Sequence, residues 1–381
     1  MWKIADERPC MFGKDESMRE SEAHDEKIAS SAKRYLGENA QLRELLGIPA
    51  DAILDIELLG MGEHNVNYLF WAPAGRKFVL RVNVASQPFH ENQILYEYEA
   101  LRSAEPSGCT PKPFFVDYSE KVPGKGILVE EYCDGIQLDF DHLRPGDVRC
   151  AIQMMADVHS VAPSADCKMH RPKDPLLEML EECKTRFRDY LSSGFEEERL
   201  VEWMRAFLDV TERYIGAMAP PEDCNHIINT ETLPSHFLIP ESSAEEAAGS
   251  GSTGRLCTAP GHFVDWERSI LGEIAQDVAY FVSPTTTYWD SEFLFPPQRI
   301  PEVLDEYWQA VDGRFAPRDF EVRFKAWRMM TALKSTSWCL QAVPRYSQDL
   351  GMHTTEKTAG KLPVYLSEEF MERIASECFG L

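Results

Sequence analysis

The sequence predicts an α+β protein in which a small antiparallel sheet with one helix precedes a larger, mainly helical half. Three observations lead there. Between residues 53 and 133, short runs rich in β-branched and aromatic residues alternate with turn chemistry. One strongly helical segment, at 90–104, interrupts them. From residue 145 onward, most long segments carry apolar residues at helical spacing.

The elements follow in order. The first forty or so residues look peripheral: 15–35 are highly charged, and SSAKRYLGENAQLRELLGI leads into the fold as helix, with Leu36, Leu42, Leu45 and Leu46 on one side. Strands are expected at ILDIELLG (53–60), VNYLFWAP (66–73) and KFVLRVN (77–83), the last two joined through a turn at 74–76. HENQILYEYEALRSA (90–104) is a helix with Ile94, Leu95, Tyr98 and Leu101 at helical spacing. PFFVDYS (113–119) and KGILVEEYC (125–133) complete the sheet. Helices are expected at 145–161, 174–192, 195–217, 301–312, 318–342 and 367–377. Short strands at HFLI (236–239) and HFVDW (262–266) flank the Ser/Gly/Ala/Glu-rich tract 241–261, which reads as a mobile surface loop. There is no internal repeat.

Composition narrows the class. A chain of 381 residues, 44% hydrophobic and 11% aromatic, has the material for a substantial core, which excludes disorder over most of its length. No apolar run approaches a membrane span, and the charged N-terminus lacks the apolar stretch of a secretory signal, so a cytoplasmic protein is expected. The ten cysteines are scattered without a CxxC pair; no zinc ribbon is readable, and reduced thiols are expected. The net charge of −24 repels phosphate backbones and anionic membranes, so neither a nucleic acid nor a membrane is expected as partner. A cationic substrate is compatible with that charge; a solvated acidic surface is the simpler reading.

Two features carry chemistry on their own. In LLGMGEHNVNYLF (58–70), Gly60 and Gly62 sit in a turn between strands, where backbone amides approach a phosphate without Cβ obstruction; Asn65 is placed to hold the turn by bonding its own backbone. An ordinary hairpin carries such glycines too. Arg81 lies at the centre of an apolar strand, where an inward cation needs an anion, and the next helix offers Glu97 and Glu99. The alternative is an exposed edge-strand arginine.

The order GMGEHNVNYLF, FVLRVN, YEYEAL, ILVEEYCDG resembles the N-lobe and hinge of aminoglycoside phosphotransferases and choline-kinase-like enzymes. The resemblance implies a protein-kinase-like two-lobed fold: an extension over 1–48, an N-lobe over 49–133 and a helical C-lobe over 134–381. In it Arg81, paired with Glu97, holds nucleotide phosphates, and Glu130, Glu131 and Tyr132 form the hinge that binds the adenine edge. MADVHSV (155–161) is similar to a family helix end, with His159 structural. IINTETLPSHFLI (227–239) is similar to the catalytic loop, with three departures: Asn229 stands where His is usual, Glu231 where the catalytic Asp is usual, and His236 where the metal-binding Asn is usual. GHFVDWERSILGEIAQDVAYFV (261–282) resembles the metal-binding segment, with Asp265 as the Mg²⁺ ligand and Asp277 as the buried brace of the catalytic loop.

The resemblance implies an ATP- or GTP-dependent, Mg²⁺-requiring phosphotransferase acting on a hydroxyl of a small molecule. Glu231 would orient the acceptor, and Asp265 with His236 would hold the metal. The extra methylene of Glu231 displaces its carboxylate by about 1 Å, and His236 is a poor partner for a hard ion. The alternative is therefore a catalytically impaired pseudokinase that binds nucleotide or a protein partner. Glu178, Glu181, Glu182 and Glu196 to Glu198 offer a lining for an aminoglycoside; solvated helix faces are the simpler reading.

Overall fold

The structure, a computed structural model, describes residues 14–62, 64–85, 92–119, 122–241, 261–347 and 356–381. The chain divides into two compact units. One comprises the residues up to Tyr98 together with Pro113–Tyr132; the other comprises Glu99–Lys112 and Cys133–Leu381. Most of the expected loop 241–261 lies outside the described residues.

In the first unit, helices α1 (Lys14–Glu38) and α2 (Ala40–Leu46) precede β1 (Ile56–Met61), β2 (Asn65–Trp71) and β3 (Lys77–Asn83). Helix α3 starts at Gln93, and β4 (Pro113–Asp117) and β5 (Gly126–Glu131) follow it. The five strands form one antiparallel sheet in the order β1-β2-β3-β5-β4. Alternation along β3 sends Phe78, Leu80 and Val82 to one face and Val79 and Arg81 to the other. The first face packs with Val66, Tyr68 and Phe70 of β2, with Ile127 and Val129 of β5, and with Ile28, Ala32, Leu36, Leu42 and Leu46 of the leading helices.

The N-terminal segment is thus not peripheral. It forms the wall of this unit's core. Asn39 caps α2 by accepting from the Leu42 N–H, and Gly47, in left-handed backbone, closes it. The buried Arg43 donates to the carbonyls of Leu36, Gly37, Pro49 and Ala52. The expected apolar stripe is right except at Leu45, which is 55% exposed. Leu45 falls outside the buried set because Leu42 and Leu46, one turn apart, already define the packed side of so short a helix.

The second unit begins with the end of α3 (to Ala104) and contains β6 (Ile136–Gln137), α4 (Asp147–His159), α5 (Pro175–Leu191) and α6 (Glu198–Gly216). The site is built on β7 (His226–Ile228), β8 (Phe237–Ile239), β9 (His262–Phe263) and β10 (Ile270–Gly272). Helices α7 (Ile274–Phe281), α8 (Pro284–Asp290), α9 (Arg299–Val311), α10 (Phe320–Ser347), α11 (Glu356–Tyr365) and α12 (Glu368–Ile374) follow. Pairing of β10 with β7, and of β8 with β6 and β9, sets the loop 229–236 beside the loop 264–269. A buried ion pair between Glu273 and Arg323 ties α10 to the start of α7.

Among the described cysteines, seven are free thiols. Cys150 departs from the expectation of reduced cysteines: it is disulfide-bonded. Among the described residues, no helix is long and apolar enough to cross a membrane.

The packing of the leading helices makes a direct prediction. Leu42→Ala is expected to lower the free energy of unfolding by about 2–5 kcal/mol, whereas Leu45→Ala changes it by less than about 0.5 kcal/mol, both read from urea denaturation.

Candidate active site

Each unit carries some of the candidate residues. In the first, the strand register sets Gly60, Asn67, Arg81 and Leu128 abreast across the sheet. Neighbouring strands lie about 4.8 Å apart, so the Gly60 backbone is ~10 Å from that of Arg81. The Arg81 Nε lies 3.0 Å from Glu97 Oε2, and both side chains are almost fully buried. A desolvated cation of this kind is held in one orientation by its carboxylate rather than by solvent. Glu130, opposite Val79, points to the same side of the sheet as Arg81. Tyr132 packs its ring 4.7 Å below the Lys77 ammonium.

The glycine turn is closed through the backbone of Asn65. The Gly62 N–H donates to the Asn65 carbonyl at 2.9 Å. Neither Gly60 nor Gly62 needs left-handed backbone. A Cβ on Gly60 would meet nothing within 4 Å, so the fold itself does not demand glycine there. The carboxamide of Asn65 is engaged across the ladder: its Oδ1 accepts from Asn83 Nδ2 at 3.0 Å. Asn83 Nδ2 also reaches the carbonyls of His64 and Ala85, which joins the start of β2 to the end of β3.

In the second unit, a fully buried carboxylate organises the loop after β7. Asp277 accepts from the backbone N–H of Asn229 at 2.8 Å and of Thr230 at 2.7 Å, and its own carbonyl accepts from Thr232 Oγ1. His159 Nε2 lies 3.2 Å from the same carboxylate, and its Nδ1 lies 2.8 Å from the Tyr307 hydroxyl. Burial pushes the His159 pKa down, so the ring is neutral. The network then assigns its proton to Nε2, facing Asp277, with Nδ1 accepting from Tyr307.

Asn229 joins the loop after β7 to the loop after β9. Its Nδ2 donates to the Asp265 carbonyl at 2.7 Å, and its Oδ1 accepts from the Glu231 N–H at 3.1 Å. Thr230 and Asp265 both adopt left-handed backbone, with φ of 72° and 67°. For residues with a Cβ this conformation costs on the order of 1–3 kcal/mol each. The bonds from Asp277 and Asn229, with Thr230 Oγ1 donating to the Arg268 carbonyl, hold it in place.

The Asp265 carboxylate is 34% exposed and lies 3.3 Å from His236 Nε2. His236 Nδ1 is buried without a hydrogen-bond partner among the described residues. Of the two ring nitrogens it is therefore Nε2 that faces an acceptor, the Asp265 carboxylate. His236 Nε2 is thus placed beside the carboxylate expected to hold the metal. A hard cation fits a site with one carboxylate when phosphate and water supply the remaining oxygens, and Asp265 meets that requirement. Among the described residues, no group of three or more His, Cys, Asp or Glu side chains could hold a metal by itself.

Glu231 is clamped by cations that the sequence reading missed. Its Oε1 lies 2.9 Å from Lys334 Nζ of α10 and 3.5 Å from Arg268. Arg268 also lies 3.6 Å from Glu182 of α5, which pairs with Arg186. Burial would raise the Glu231 carboxyl; Lys334, then Arg268, outweigh it and hold the group at about 2. Burial pushes the Lys334 ammonium below its ordinary value, opposed by Glu231. Lys334 also lies 5.0 Å from the Tyr280 ring. Of the acidic residues expected as substrate lining or solvated faces, Glu178 and Glu181 are exposed and paired with His170 and Lys184. Only Glu182 joins this cluster. A lysine near the middle of a long helix carries no local signal, so Lys334 was not legible in sequence.

The two units have the elements of a protein-kinase-like fold, and the comparisons with known proteins place it there. No family model matches the chain. It is similar to hygromycin-B 4-O-kinase of Escherichia coli, 20% identical over 290 residues that cover 70% of this chain and 77% of that protein. Among solved structures it resembles spectinomycin phosphotransferase APH(9)-Ia in complex with ADP and spectinomycin, with a TM-score of 0.56 and 10% identity over 90% of this chain and 98% of that one. It also resembles choline kinase from Cryptosporidium parvum Iowa II, with a TM-score of 0.55 and 13% identity over 86% and 94% of the two chains.

Two predictions follow from the loop. Asp277→Ala, which leaves two buried N–H groups without an acceptor, is expected to lower the unfolding free energy by about 3–5 kcal/mol in chemical denaturation. The folded pKa of Glu231 lies below the ordinary glutamate value of about 4.3, so its stabilisation is present above that value and lost as pH falls toward 2. The gap in melting temperature between wild type and Glu231→Gln should accordingly be widest near neutral pH and close progressively below about pH 4.

Proposed function

We propose that this chain transfers the γ-phosphoryl group of ATP or GTP to a hydroxyl of a small molecule. The observation that carries the reading is the bridge through Asn229, which holds the backbones of Glu231 and Asp265 together within one unit. Phosphoryl transfer asks little covalent chemistry of a protein and much positioning, so a loop that spends two left-handed residues on placing two carboxylates suits it. The hygromycin and spectinomycin phosphotransferases and choline kinase named above support the same class of chemistry.

In this reading Arg81, held by Glu97, orients the nucleotide phosphates, and the open backbone at Gly60 and Gly62 lets them approach. The backbone of Glu130 to Tyr132 binds the base edge. Asp265 holds Mg²⁺, with His236 donating to its carboxylate. A bound Mg²⁺ neutralises charge on the phosphate oxygens. Glu231 accepts a hydrogen bond from the acceptor hydroxyl and aligns it. Held at about 2, its carboxylate is a weak base, so it positions the hydroxyl rather than stripping its proton before transfer.

That same clamp favours a second reading, a chain that binds nucleotide without transferring phosphate. A thermal-shift titration with ATP and Mg²⁺, together with a phosphotransfer screen over amino alcohols, aminoglycosides and hydroxy acids, separates the two. The phosphotransferase reading expects a rise in melting temperature with nucleotide. It also expects transfer that Asp265→Ala and Glu231→Ala each reduce by about a hundredfold or more. A shift without transfer leaves the binding-only reading. Equal turnover in wild type and both variants would make the activity a contaminant.

A further inference from the structure

The carboxylate at the acceptor-aligning position of the proposed function is surrounded by positive groups, and that arrangement bears on what the acceptor is. Arg186, Arg268 and Lys334 meet Glu182 and Glu231 in one cluster drawn from α5, α10 and the two loops. The cluster is recessed but open. The side chains of Glu182, Glu231 and Arg268 are 22%, 25% and 24% exposed, while those of Arg186 and Lys334 are each 10% exposed.

The cations are not used alike. Lys334 is within hydrogen-bond distance of Glu231, and Arg186 is directly bonded to Glu182. Arg268 makes only longer ion pairs, at 3.5 Å to Glu231 and 3.6 Å to Glu182 through different nitrogens. A guanidinium offers five donors in a planar fork and engages a carboxylate bidentately when one is free to fit it. Arg268 does neither here: its side chain makes no hydrogen bond among the described residues, although two carboxylates are within reach. Glu267 contributes a weaker negative field at the same group. The Tyr280 ring closes the cluster beside Lys334. A subsite built for a polyamine would present uncompensated carboxylates; this one has both of its carboxylates neutralised and a partly exposed guanidinium with donors to spare.

We propose that this cluster is an anion-binding subsite in which Arg268, backed by Lys334, receives a carboxylate or phosphate group of the acceptor alcohol. The proposal rests on the phosphotransferase reading for the identity of the ligand as an acceptor, and it assigns the substrate class as anionic hydroxy compounds rather than amino alcohols. An acceptor held this way places its anionic end on Arg268 and leaves its hydroxyl to Glu231.

Calorimetric titration of the full chain without nucleotide tests the subsite, with glycerol 3-phosphate and D-glycerate as anionic alcohols and ethanolamine as the cationic one. At least one anionic alcohol is expected to bind at least about tenfold more tightly than ethanolamine. Arg268→Gln should weaken that binding about tenfold or more, since it removes the charged fork. Glu182→Gln should tighten it several-fold, because it removes a competitor for the same guanidinium; this opposite sign keeps the test decisive should Arg268→Gln fold poorly. Preferential binding of ethanolamine, no binding of either anion at millimolar concentration, or anion affinity unmoved by Glu182→Gln would overturn the proposal. Transfer from ATP is measured separately on the same alcohols. Anion binding without any transfer removes the phosphotransferase reading and leaves the subsite, whereas transfer to ethanolamine alone does the reverse.

Discussion

The conformation of the loop after β7 depends on the acceptance of two backbone N–H groups by one buried carboxylate, Asp277. A carboxylate without solvent is costly unless its lone pairs are filled, and here the fillers are the backbone of the functional loop and a neutral histidine. Loop and core therefore stabilise each other. The loop cannot leave its left-handed conformation at Thr230 without stranding the charge, and the charge is tolerable only while the loop stays. Asn229 extends the constraint to Asp265 through a single carboxamide, which donates at one end and accepts at the other. No aliphatic or singly functional side chain would serve both contacts.

A similar economy holds in the first unit, where strand alternation separates two tasks along one short segment. Phe78, Leu80 and Val82 of β3 belong to the core, while Arg81 takes the opposite face and meets Glu97. A register slip of one residue would exchange the two sets and bury the cation among leucines. The apolar packing of the leading helices thus helps to fix where the arginine points.

Much of this was legible in sequence. Runs rich in β-branched and aromatic residues, set apart by turn chemistry, located all five strands of the larger sheet, and helical spacing located the long helices. Gly60 was nameable from a turn between two strands and Arg81 from the apolar strand it interrupts, whereas the choice of Glu97 and the naming of Glu231 and Asp265 came from the resemblance to a known family. Three things were not legible. The strands β6, β7 and β10 are two or three residues long and have too little length to show a period. The peripheral reading of the first helix failed because its charged residues outnumber the Ile28, Ala32 and Leu36 stripe that does the packing. Lys334 and Arg268 were invisible as partners of Glu231, since pairing across 103 and 37 residues is a property of the folded chain alone.

The leading helices have a practical corollary. Because α1 and α2 cover the sheet face formed by Val66, Tyr68, Phe70 and Leu80, shortening the chain to begin at the first strand would not yield a trimmed but intact unit. It would present a wet, flat array of aromatic and aliphatic side chains, the surface on which β proteins associate with one another. Fusions, tags and surface attachment are better placed ahead of residue 28 than in its stead.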